Sequence, residues 1–162
     1  TSIGPGCKIG GEVTESIFQS WSNKQHDGFI GHAYMGEWVN LGAGTNNSDL
    51  KNNYTTVTVT VNGNVVDSGS LSAGLFMGDH SKSGINTMFN TGTSIGLGCN
   101  IVGAGFPPKN VPSFSWVVNR KIRKYDYKKF LGTARIVKER RNQSISPTEE
   151  YLFQAIYKGS DS

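Results

Sequence analysis

Residues 77–106 read MGDHSK-SGINTM-FNTGTS-IGLGCN-IVGAGF when divided into sixes from Met77. The first position of each six is Met77, Ser83, Phe89, Ile95 or Ile101, and glycine often follows it. A period of six with one large and one small inward residue is what a triangular coil requires, three short strands and three turns to a rung. An ordinary sheet has period two and needs no glycine beside the apolar residue at every sixth position. The same frame fits Ile17, Asn23, Phe29, Met35 and Leu41, ending MGEWVN-LGAGTN, and IGPGCK-IGGEVT at residues 3–14. Its fifth position is small or β-branched at Cys7, Val13, Val39, Thr45, Thr93 and Cys99, which predicts a parallel β-helix with both cysteines as core thiols.

The period breaks in two places. Residues 46–56 are polar, and VTVTVNGNVVDSG at 57–69 reads as two alternating strands about Asn62-Gly63, so a loop and hairpin insertion is expected at 46–70. After Phe106 the stretch FPPKNVPSF carries three prolines, which predicts that the coil domain of residues 1–110 is capped there. Residues 111–162 then hold the cap and two helices, near 125–142 and 147–158. Tyr127, Phe130, Leu131, Ala134 and Val137 recur at helical spacing, and Ser146-Pro147-Thr148-Glu149 is a capping box with proline at the first helical position. The predicted class is an all-β solenoid of hexapeptide repeats with an inserted hairpin and two C-terminal α-helices.

The 162 residues include 38 Leu, Ile, Val and Phe, about 23% of the chain and above the roughly 20% that marks disorder. No run approaches the roughly 18 apolar residues of a membrane span and no signal segment opens the chain, so a cytoplasmic protein is expected. Residues 1–118 hold five Lys/Arg against seven Asp/Glu, whereas 119–162 hold eleven against five. The basic tail alternates with helix-forming apolar residues and reads as a solvated helix face; no nucleic-acid role is expected.

His26 and the segment Gly31 to Thr45, GHAYMGEWVNLGAGT, resemble the C-terminal acetyltransferase domain of the bifunctional sugar-1-phosphate nucleotidyltransferase/glucosamine-1-phosphate N-acetyltransferase (UDP-N-acetylglucosamine pyrophosphorylase) family. The hairpin and VNGNVVDSG…MGDHSKSGIN are similar to its archaeal members, and the likeness covers about residues 1–110. It implies a left-handed parallel β-helix, a homotrimer, and acetyl-CoA-dependent N-acetylation of an amino-sugar 1-phosphate, with a nucleotidyltransferase domain N-terminal to the coil. By position it implies His26 as general base, Asn40 as a sugar-binding or orienting residue, and a backbone N–H near Ala43 facing the thioester. Gly84, Asn86 and Gly103 would line the coenzyme A groove, with Lys109 or Arg120 near its phosphates. An amine attacking a thioester must lose a proton, and an imidazole suits that task at neutral pH.

The chain departs from this pattern at the acceptor end. The family usually has tyrosine three residues after the histidine, where Phe29 stands here, and asparagine where Asp49 stands. Lys24, Lys51 and Tyr54 are the residues expected to compensate at the substrate subsite. These departures support a second hypothesis, a non-catalytic trimerising half of a sugar-1-phosphate nucleotidyltransferase. A metal enzyme is the weakest reading, because the histidines show no ligand spacing and no metal is expected. In the hexad frame His26, His32 and His80 all fall at the outward fourth position, so His32 and His80 are expected at the surface.

Overall fold

The computed structural model describes residues 1–160 and shows a left-handed parallel β-helix followed by two α-helices. The first face stacks six strands in order, Ser2–Ile3, Ile17–Phe18, Tyr34–Met35, Leu75–Met77, Thr93–Ile95 and Asn110–Val111. The second face pairs Lys8–Ile9 with Asn23–Lys24, continues through a bridge at Asn40, and then stacks Lys82–Ser83, Asn100–Val102 and Ser115–Val118. On the third face Glu12–Thr14 lies on Phe29–Gly31, and Asn46–Asn47 on Met88–Phe89. Between those two pairs the ladder is carried by side chains. Asn46 Oδ1 accepts from Phe29 N–H at 2.7 Å, while the buried Asn47 amide accepts from Gly31 N–H and donates to Gly31 O, both at 2.9 Å.

The lumen is filled from the first and fifth hexad positions. Met35, Val39, Leu41, Met77, Phe89, Ile95, Cys99 and Ile101 are all buried in one apolar cluster, with Cys7 and Val13 packed against it. Cys99 donates its thiol to Pro112 O, and burial pushes that thiol up to about 11. In the second run the hexad frame is one residue out. Ile17, Asn23 and Phe29 face outward or sit at the rim, and Phe18, Lys24 and Ile30 point inward, because the coil from Ile17 to Tyr34 is 17 residues long rather than 18.

The coil also runs further than the prolines imply. Asn110–Val111 pairs with Ser94–Ile95 and Ser115–Val118 with Asn100–Val102, so the last rung closes after residue 110 and antiparallel Lys121–Lys124 caps it. Pro107, Pro108 and Pro112 fall between the strands, where a missing N–H costs no ladder bond. The insertion begins later than residue 46, since Asn46–Asn47 belongs to the third face. The chain leaves after Asp49 and returns at Ala73, whose N–H donates to Asp49 O at 2.9 Å. Within the insertion Thr58–Val61 and Asn64–Asp67 form the hairpin.

α1 spans Tyr127–Glu139 and α2 spans Pro147–Gly159. Phe130, Leu131, Ala134 and Phe153 bury a second apolar cluster with Phe114 and Tyr125. The two helices cover the corner between the first and second faces. Gly6, Trp21, Trp38, His80, Gly98 and Phe114 all have positive φ. Trp21 stacks on Trp38 at 5.3 Å and Trp38 on His80 at 6.1 Å, and the edges of Phe130 and Phe153 meet the His80 ring. A left-handed residue costs about 1–2 kcal/mol and an aromatic pair returns about 0.5–1.5 kcal/mol, so the stack offsets much of the strain of its own turns. His80 is therefore buried, not at the surface: it points away from the lumen but into the helices.

Candidate functional site

The corner between the second and third faces is a column of tight turns that carries most of the sequence-predicted site. Gly10-Gly11, Gln25 to Gly28, Gly42 to Thr45, Gly84 to Thr87 and Val102 to Gly105 lie over one another. Backbone packs on backbone: Gly44 N–H donates to Asp27 O at 3.1 Å, and Asn86 N–H donates to Ala43 O at 2.7 Å. A Cβ on Gly28, whose φ is +114°, would stand 2.2 Å from Thr45 O, and one on Gly42 would stand 2.5 Å from Gly84. Glycine at these positions is thus required by the stacking itself. His26 is exposed on the second of these turns, with Ala43 one rung above and Gly84 and Asn86 one rung further. Ala43 N–H has no acceptor among the described residues.

Lys24 and Asn40 approach the same corner from the second face in different ways. Asn40 is exposed, bridged to Asn23 below and Lys82 above. Lys24 is inside the lumen, 2% exposed, between Ile9 and Leu41 in register, and its ammonium donates to the His26 carbonyl. Burial lowers its pKa from the ordinary lysine value, with Asp27 opposing that shift. It supports the His26 turn from within rather than reaching an outside ligand.

Phe29, Asp49 and His32 meet at the far end of the third face. His32 Nδ1 lies 2.7 Å from Asp49 Oδ2, and both the Phe29 ring and the Asp49 carboxylate close over Gly31. Sequence reasoning missed this pairing. The signal was present, because 17 residues, one coil, separate His32 from Asp49, as they do Trp21 from Trp38.

The remaining cations divide between two corners. Arg120 lies beside Gly103 at the upper end of the glycine column, donating to Phe106 O at 2.8 Å. Lys109 is placed apart from it, with Lys51, in a depression that also contains Asn90. Burial and the neighbouring Lys51 charge lower the Lys109 pKa. Lys51 itself is tied down by donation to Thr56 O within the insertion. Among the described residues no three His, Cys, Asp or Glu side chains converge as a metal-ligand set.

These features define a hexapeptide-repeat β-helix with a histidine-bearing corner. Within that class the chain is a relative of bifunctional nucleotidylyltransferase/acetyltransferase proteins. It is 37% identical over 91 residues, 55% of this chain, to the bifunctional sugar-1-phosphate nucleotidylyltransferase/acetyltransferase of Sulfurisphaera tokodaii. It is 34% identical over 122 residues, 73% of this chain, to the bifunctional protein GlmU of Synechococcus sp. strain CC9902. A similar match, 28% over 109 residues and 67% of this chain, is made to GlmU of Methanocaldococcus jannaschii. The chain spans only about a quarter of the length of these relatives, 23% to 26%. No protein-family model matches it. In fold it is similar to AntD, an N-acyltransferase from Bacillus cereus solved with dTDP and 3-hydroxybutyryl-CoA, at a TM-score of 0.54 and 12% identity over 87% of this chain and 80% of that one.

Proposed function

We propose that this chain is a coenzyme-A-dependent N-acetyltransferase domain acting on an amino-sugar 1-phosphate in nucleotide-sugar biosynthesis, working as a homotrimer with acetyl-CoA as co-substrate. The observation that carries the reading is the stacking of the His26 turn one rung below the Ala43 turn, whose N–H has no acceptor among the described residues. The amine nitrogen attacks the thioester carbonyl carbon, His26 takes the amine proton, and the Ala43 N–H receives the developing oxyanion. Collapse breaks the C–S bond and the coenzyme A thiolate leaves. Asn40 and the Gly84, Asn86 and Gly103 turns flank the two substrates, with Arg120 at the upper end of the corner.

The Asp49 carboxylate, which would repel a sugar phosphate if it stood alone, is turned onto His32. With Phe29 it forms one wall at the acceptor end. The test is free-thiol release from acetyl-CoA with glucosamine 1-phosphate, galactosamine 1-phosphate or glucosamine as acceptor. Acceptor-dependent release is expected, falling about 10²- to 10⁴-fold in His26→Ala with the fold intact. No release with any acceptor from folded protein would instead support the non-catalytic scaffold of a nucleotidyltransferase.

A further inference from the structure

A cavity of about 540 Å³ lies between the second face and the turn that follows α1. Its long wall is the outward column Lys8, Asn23, Asn40 and Lys82, one residue from each of four successive rungs. Arg140 and Arg141 close it from the other side. At about 4.8 Å per rung, the lysines stand about 14 Å apart along the wall. We infer that this cavity binds an organic phosphate, with anionic oxygens held by Lys8, Lys82, Arg140 and Arg141 and the amides of Asn23 and Asn40 between them.

The charge distribution carries the inference. Residues 1–118 are net acidic and contain only five lysines, yet two of the five face this cavity. Among the described residues no carboxylate lines it. Arg141 is fixed, but by neutral acceptors, Gly6 O at 3.2 Å and Asn23 Oδ1 at 3.0 Å. Lys82 is half-buried and donates to the neutral carbonyl of His80 at 2.9 Å. Four cations gathered around a ligand-sized space, with no carboxylate among the described lining residues, fit an anion that supplies the missing charge. A chain of amide and cationic donors over this length suits a molecule with phosphate at more than one point, or phosphate joined to a hydroxylated ring. Burial pushes Lys82 down to about 8, so an anion that restores its proton would be bound with proton uptake above that pH.

The inference stands apart from any acyl transfer at His26, because it is read by binding alone. Trp21 and Trp38 line the cavity and report occupancy by fluorescence, with calorimetry as the direct measurement. The probes are inorganic pyrophosphate, coenzyme A, dephospho-coenzyme A and glucosamine 1-phosphate. Saturable binding of at least one is expected, weakened about tenfold or more by Lys82→Met and by Arg140→Gln, and unchanged by Lys128→Gln on the exposed side of α1. Arg140 is exposed and makes no side-chain bond among the described residues, so its variant keeps the test valid if Lys82→Met does not fold. Preference for coenzyme A over its dephospho form assigns the cavity to the coenzyme, and preference for glucosamine 1-phosphate assigns it to a sugar phosphate. Failure of every probe at millimolar concentration, or binding that Arg140→Gln leaves untouched, overturns the inference.

Discussion

Lys24 occupies a lumen position that the rungs below and above fill with carbon, Ile9 and Leu41. Desolvating an amine there costs stability, and its described returns are the bond to the His26 carbonyl and the attraction of Asp27. Lys24→Met therefore leaves the melting temperature unchanged or higher while loosening the turn. If His26 is the base, kcat/KM falls by about tenfold, near 1.4 kcal/mol, and a variant as active as wild type would show that the turn needs no internal support. His80 gives a second residue-scale prediction. Burial, with Lys82 and Lys138 adding repulsion and Glu149 opposing them, pushes its pKa down to about 3. The unfolded chain then binds the extra proton between pH 6.5 and about 3, so the His80 contribution is fully present above pH 6.5 and is lost as pH falls through that window. Asp79, raised by burial, works with the opposite sign. The difference between wild type and His80→Phe in denaturant unfolding isolates the histidine: the gap narrows or reverses on acidification. A constant gap from pH 7 to pH 4 would refute the assignment. The sequence could not reveal His80's burial because the hexad frame tells inward from outward, not outward from exposed.

At the scale of elements, α2 is held at its N-terminus and along its apolar face. Ser146 Oγ accepts from Glu149 N–H at 3.2 Å and Glu149 Oε2 accepts from Ser146 N–H at 2.9 Å, the reciprocal bonds of the capping box. Glu149 also accepts from the buried Lys138 ammonium at 2.6 Å, and Phe153 packs on His80 and Phe130. Ser146→Ala should cost about 1 kcal/mol and lower the melting temperature by a few degrees, and Phe153→Ala about 3–5 kcal/mol. Equal losses from the two would mean that α2 is not held by its apolar face. These elements were legible in the sequence because their signals are local: a cap at fixed spacing, a hairpin at Asn62-Gly63, a hexad at Met77. What was not legible came from counting coils of unequal length. A coil of 17 residues moves Phe18 and Lys24 inward, and two strands of one last rung, with prolines before and between them, extend the solenoid past Phe106. The candidate site was legible in the same uneven way. His26, Ala43, Gly84, Asn86 and Gly103, which the resemblance placed together, share one corner, whereas Lys109 is carried to another corner by a short last rung.

At the scale of the whole molecule, the largest sheet keeps large apolar side chains exposed. On the first face the outward column runs Ile17, Tyr34 and Phe76 in register, with Ser2, Ser94 and Asn110 completing it, and the three large side chains are 37% to 46% exposed. The second face is overlaid by α1 and its following turn, and the third is broken by the insertion at Asp49. A flat apolar column exposed on this face suits self-association, and threefold packing of coils buries such faces while leaving three equivalent grooves between neighbours. We expect sedimentation equilibrium to give the mass of three chains. Phe76→Asp, a surface change within one strand, should shift that mass to a single chain with the far-ultraviolet spectrum retained. If the groove between chains completes the site, the same variant loses acyl transfer while still filling the cavity beside α1, which lies within one chain. A monomeric wild type would remove the first face from assembly, and a monomeric variant with full acyl transfer would place the whole reaction within one coil.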